Sequence, residues 1–308
     1  VLENAIKNFP ENITSFQQLI ALNYTHMGLY NDALRIHEKI LANENDDEAK
    51  RTALKNKSFI YSILGEYSKC RELLQLELSL VKDNRPDNIG AINIDIALAY
   101  QYAGNYKQAE TYYNKAKKII QENKGMGMII DFMKYVEIYY RALLYKQVSN
   151  EESFELTLDA FRLSVDNEKE GSMLPYYMEP TYKALLFESF AYKGKIDSAL
   201  TIFNGLPIRQ FSQELHYLTA AKIYIIKGDY KRALQCADEM QVPTKDNWEY
   251  EVVFSRAHYI RGITYEAMGE MEKAKNSYKA LLNLWKNADE NIPELIDTKK
   301  RLKNLKFS

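Results

Sequence analysis

The chain has 308 residues, 46% of them apolar and 27% charged, with a formal net charge of -1. That balance supplies no field to draw in a polyanion, which sets nucleic acid aside as a partner of this segment, and no run of about 18 apolar residues is present to insert in a membrane. Only 12 Gly and 7 Pro punctuate the chain, a usage that suits helices rather than sheets and leaves no seam between domains, so the predicted fold is one all-α body.

Along the chain one short pattern returns: "MGLYNDA" at 27–33, "LGEYSKC" at 64–70, "AGNYKQA" at 103–109, "KGKIDSA" at 193–199, "KGDYKRA" at 227–233 and "MGEMEKA" at 268–274. The glycines stand 34 to 41 residues apart, with one gap of 90 that has room for a further copy, a period typical of helical-hairpin arrays. Each glycine follows a first helix, where the chain turns left-handed and a Cβ is penalised. Downstream, Tyr106, Ala109, Tyr113 and Ala116 recur at helical spacing and predict a buried stripe on a second helix. Upstream, Ile96, Ala97 and Tyr100 form a matching stripe, with a small residue where two helices cross.

These residues resemble the tetratricopeptide repeat, with its small residue and Tyr on a first helix, Gly-x-Tyr at the turn, and Ala, aromatic, Ala on a second. The resemblance implies a right-handed α-solenoid of about seven hairpins. Residues 1–12, with Ala5 and Pro10, resemble the tail of a preceding repeat. Repeats follow at 14–47, 51–84, 90–123, 135–168, 180–213, 214–247 and 255–288, and residues 293–306 read as a capping helix. Repeat four is the most degenerate: "KQVSNEES" replaces its glycine turn with about three extra residues, and Phe154, Thr157, Phe161 and Ser164 form its second stripe. Repeat five carries bulky Phe187 where a small residue is usual.

Little in the chain points to catalysis. Cys70 and Cys236 read as buried hydrophobes, and His26, His37, His216 and His258 sit on different repeats with no metal-ligand spacing. "NENDDE" at 43–48 lacks the alternation of a calcium loop and reads as a solvated helix entry. "GMGM" at 125–128 has no Gly-Lys-Ser/Thr and reads as a connector, and "TKKRLKNLK" at 298–306 as a solvated capping face. No cofactor, metal or enzyme activity is expected.

In the family that these residues resemble, first helices line a concave groove. The corresponding positions here are Phe59, Leu98, Gln101, Tyr102, Tyr139, Tyr140, Leu143, Lys146, Glu188, Tyr192, Lys222 and Tyr259, with Ile226 aligned to Tyr102. An aromatic groove for a peptide or helix of a partner protein is the implied function, Tyr being an efficient contact residue. The family's clamp for chaperone tails is not reproduced, since Lys55 and Phe59, Asp95, and Val136 and Tyr140 occupy its positions in repeats two to four. The closing stretch also resembles the end of repeat arrays in bacterial multidomain regulators. It leaves open a second role, as the sensory arm of a kinase-like enzyme or transcription regulator whose other domain precedes residue 1. The compartment is left open.

Overall fold

The computed structural model describes residues 13–81, 85–168, 172–206, 213–241 and 253–305, so the predicted repeat tail lies outside the described residues. Seven hairpins follow in order: α1 (Ile13–His26) with α2 (Tyr30–Asn43), α3 (Asp47–Ile63) with α4 (Tyr67–Ser79), α5 (Pro86–Tyr102) with α6 (Tyr106–Glu122), α7 (Met128–Gln147) with α8 (Glu151–Asp166), α9 (Leu174–Tyr192) with α10 (Ile196–Asn204), α11 (Gln213–Ile226) with α12 (Tyr230–Glu239), and α13 (Arg256–Ala267) with α14 (Met271–Leu284). A last helix, α15, spans Pro293–Asn304, and no strand occurs among the described residues. This is the expected all-α solenoid.

The third hairpin shows how the local sequence builds one unit. Gly104 takes φ +77°, its N–H donates to the Gln101 carbonyl at 3.0 Å, and the Asn105 N–H reaches back to Tyr100 at 2.9 Å. These two bonds close α5. The Asn105 side chain then accepts from the Gln108 N–H and starts α6. Ala109, Tyr113, Ala116 and Ile120 are buried along that helix, and the Tyr113 hydroxyl donates to Gln101 Oε1 at 2.6 Å across the hairpin.

Repeat four departs from its sequence reading. Its turn has no extra residues: Val148 caps α7, Ser149 takes φ 56° in the glycine's place, and Asn150 starts α8 by accepting from the Ser153 N–H. The bonds match those of repeat three, with Ser149 N–H to Lys146 at 3.1 Å and Asn150 N–H to Tyr145 at 2.9 Å. Counting from Ser149 corrects the stripe to Phe154, Leu158, Phe161 and Val165, all buried, while Thr157 and Ser164 lie beside it. A serine at a left-handed position hid the register, because only glycine was read as the turn signal.

First helices of neighbouring repeats touch, α1 with α3, α5 with α7, α7 with α9, α9 with α11 and α11 with α13, whereas neighbouring second helices make no comparable contact. First helices therefore occupy the inside of the curve and second helices the outside. One buried cluster runs from Tyr67 to Leu305, and Ala21 and Ala33 of repeat one form a smaller cluster with Ile60 of repeat two.

The curve closes on itself. Trp285 Nε1 donates to the Ile63 carbonyl at 3.0 Å, the Asp289 N–H donates to the Gly65 carbonyl at 2.9 Å, and the Ser68 hydroxyl donates to Asp289 at 2.8 Å. The Ser255 hydroxyl also bonds the Ile63 carbonyl. The approach is so close that a Cβ at Gly65 would stand 2.8 Å from Ala288 Cβ, and one at Gly104 would stand 2.8 Å from the Asn291 carbonyl oxygen. The turns of repeats two and three thus form a seat for repeat seven and the segment entering α15.

Candidate interaction surface

Two polar clusters of the inner layer are each assembled from several repeats. In the first, α7, α9 and α11 meet. Tyr139 and His216 Nε2 share a hydrogen bond of 2.8 Å, His216 Nδ1 faces Glu188 Oε1 at 2.6 Å, and Thr219 donates to Glu188 Oε2 at 3.0 Å. Lys146 pairs with the same carboxylate and donates to Thr219 at 3.1 Å. Burial alone would raise Glu188, yet Lys146 and His216 hold its carboxyl down at about 2. The arrangement contains a Tyr, His and Glu in series, but every partner is internal, and its effect is to tie three repeats together.

The second cluster sits where the curve closes. The buried Arg256 guanidinium donates to the Tyr67 hydroxyl at 3.0 Å, pairs with Glu294 at 3.3 Å, and lies 4.9 Å from the Tyr102 ring and 5.5 Å from the Trp285 ring. Burial opposes ionisation of Glu294, but Arg256 and then Lys222 hold its carboxyl below the usual range. Neither Arg256 nor Glu294 stands at a repeat signature position, so no spacing rule could have found them. His216 was visible only as a lone histidine.

These clusters decide where the twelve expected groove residues lie. Leu98, Gln101, Tyr102, Tyr139, Tyr140, Leu143, Glu188 and Tyr259 are buried. Gln101, Tyr139 and Glu188 are occupied as described, and the Tyr259 hydroxyl donates to Asp297 at 2.8 Å. Phe59 and Lys146 are half-buried, with the Lys55 ammonium 5.7 Å from the Phe59 ring. Tyr192 is 37% exposed and Ile226 78% exposed, and Lys222 is exposed between them in sequence, 6.0 Å from the Tyr259 ring. The surrounding walls strip part of the water from Lys222 and lower its ammonium pKa, while Glu294 acts the other way. Among the aligned positions named, the exposed ones therefore belong to repeats five and six.

Residues 91–123 and 255–284 match the family described as "Tetratricopeptide repeat". These segments lie in the third and the seventh hairpin, which thus match the tetratricopeptide repeat. That fold is characteristic of protein-interaction scaffolds, and the family is generally non-catalytic. Among solved structures, the chain is similar to a tetratricopeptide repeat protein from Parabacteroides merdae ATCC 43184, at 18% identity over 96% of this chain and 99% of that one, with a TM-score of 0.48. It is also similar to a chain in the structure of Naa15/Naa10 bound to HypK-THB, at 14% identity over 92% of this chain and 39% of that one, with a TM-score of 0.33. No curated protein is significantly similar. Among the described residues, no helix is long and apolar enough to cross a membrane, and no group of three or more His, Cys, Asp or Glu is placed to hold a metal ion.

Both cysteines are buried, and burial pushes the Cys236 thiol up to about 12, far from a nucleophile's range. The acidic stretch at 43–48 enters a helix: Asp46 caps α3 by accepting from the Ala49 N–H at 2.9 Å, and Glu44 accepts from Thr14 at 2.7 Å.

Proposed function

We propose that this array is a non-catalytic scaffold that holds a peptide or helix of a partner protein on its inner face, with Tyr192, Lys222 and Ile226 as the principal contacts. The observation that carries the reading is the exposure of these three side chains on the first helices of repeats five and six, where the aligned residues of repeats three and four are mostly buried. An exposed aromatic, a cation and an exposed branched aliphatic make a mixed patch of the kind that recognises amphipathic segments. Phe59 and Lys146 add accessible edges on either side of the buried tyrosines.

Affinity capture from the native cell, read by mass spectrometry, tests this with the wild type beside Tyr192→Ala/Lys222→Glu/Ile226→Asp. All three positions are solvent-exposed, and because Lys222 also acts on Glu294, circular dichroism and a Lys222→Ala version of the variant check that loss of binding is not loss of fold. Selective loss of a partner supports the reading, and a partner profile unchanged by the variant would remove it.

A further inference from the structure

The outer face of the array carries a second surface that the inner-face reading does not use. Between α6 and α8, over a floor formed by α7 and the loop at 124–127, lies a groove of about 1070 Å³. Leu156 and Leu163 stand on its α8 wall, each 62% exposed. Counted from the turn, the position of Leu156 is held by Arg35, Glu72, Thr111, Thr201, Gln235 and Asn276 in the other repeats, and that of Leu163 by Ala42, Ser79, Lys118, Ile208, Val242 and Asn283. At the Leu156 position repeat four thus turns an apolar side chain outward where all its sister copies have polar ones, Leu163 continues the edge on the same wall, and exposed Met128 and Met173 extend it at the mouth of the groove.

The rim is basic. Lys117, Lys124 and Lys134 line it, and among the described residues none has a carboxylate within ion-pair distance. Of the lining carboxylates, Glu137 is paired with Arg141, Glu168 takes the Tyr135 hydroxyl, and Asp131 remains against the three lysines. The groove therefore favours an occupant with apolar knobs and negative flanks. A helix about 10 Å across fills roughly 420 Å³ per turn, so the space takes between two and three turns. Leu156 and Leu163, seven residues apart, are spaced about 10.5 Å along α8, which matches two turns of a docked helix. An extended strand has no sheet edge to pair with here, the neighbouring backbone being helical.

We propose that this outer groove docks an acidic amphipathic helix of a partner protein, two to three turns long, with apolar residues at i, i+3 or i+4, and i+7 and Asp or Glu beside them. The apolar stripe packs between Leu156 and Leu163 and onto the methionines, and the acidic flanks meet Lys117, Lys124 and Lys134.

The test is selection from a displayed library of randomised 15-residue helical peptides against the whole chain, followed by fluorescence anisotropy with the selected peptides. Expected are sequences with the stated pattern, at least tenfold weaker binding to Leu156→Asp/Leu163→Asp, and weaker binding to Lys117→Glu/Lys124→Glu/Lys134→Glu. That lysine variant should in turn gain affinity for copies of the peptides with Lys in place of Asp and Glu. The leucines are surface residues, so circular dichroism is expected to show both variants folded, and the Tyr192→Ala/Lys222→Glu/Ile226→Asp variant should bind the peptides as the wild type does. Selection without binders, binders indifferent to the leucine pair, or partition onto phosphatidylglycerol vesicles in place of peptide binding would each overturn the proposal.

Discussion

Replacing Gly65 by Ala tests whether the array is closed in solution. Gly65 and Gly228 occupy the same turn position with nearly the same backbone, φ +71° and +72°, but a Cβ at Gly228 would meet nothing within 4 Å. Gly228→Ala therefore reports the left-handed penalty alone, about 1–2 kcal/mol. A Cβ at Gly65 would stand 2.8 Å from Ala288 Cβ, 3.1 Å from Ile292 Cδ1 and 3.2 Å from Trp285 Cδ1, all inside the favourable carbon–carbon separation of about 3.5–4.0 Å. Overpacking of that kind costs a further 1–3 kcal/mol or so, and Gly65→Ala should cost about 2–5 kcal/mol in total. If the seat opens instead, Trp285 loses its bond to the Ile63 carbonyl and its emission shifts to the red. Urea unfolding followed by circular dichroism, with Trp285 fluorescence recorded in a Trp248→Phe background that leaves one tryptophan, measures both. Equal costs for the two glycines, with unchanged emission, would refute the closed arrangement.

Two further outcomes follow from the same physics. Ser149→Gly should stabilise the chain by about 1 kcal/mol, because it relieves a left-handed serine whose turn bonds are already those of the glycine repeats; a lower melting temperature would contradict the register assigned to repeat four. Burial raises the Asp95 carboxyl to about 6 and, with Asp95 adding its charge, the Glu77 carboxyl to about 7, against the opposing pull of Lys55 and Arg51. Their folded pKa values exceed the unfolded ones, so the fold favours the protonated forms and stability falls as pH rises from about 4 to 7. Asp95→Asn should flatten that fall and add on the order of 2–3 kcal/mol at pH 8 while changing little at pH 4, and pH-resolved urea titrations check it.

Much of the fold was legible because its instructions are local. A turn glycine, a helix start and a stripe at spacings of three and four involve residues within one hairpin, and Gly104, Asn105, Ala109 and Tyr113 do what their spacing requires. Repeat four was misread for the same reason: Ser149 supplies the glycine's geometry without its letter. The groove residues were legible as positions but not as surfaces. Tyr139 and Glu188 face inward as aligned, yet His216, Thr219 and Lys146, brought from other helices, occupy their polar atoms.

Hairpin order, stripe register and the inner placement of first helices are thus properties of the linear pattern. Closure is not: the Ile63 to Trp285 bond joins residues 222 apart, and it depends on small rotations accumulated over every intervening repeat. No spacing rule encodes that sum, so the seat of Gly65 and Gly104, the burial of Arg256 and the exposure of Tyr192, Lys222 and Ile226 where aligned residues are buried arise only when the helices are packed together.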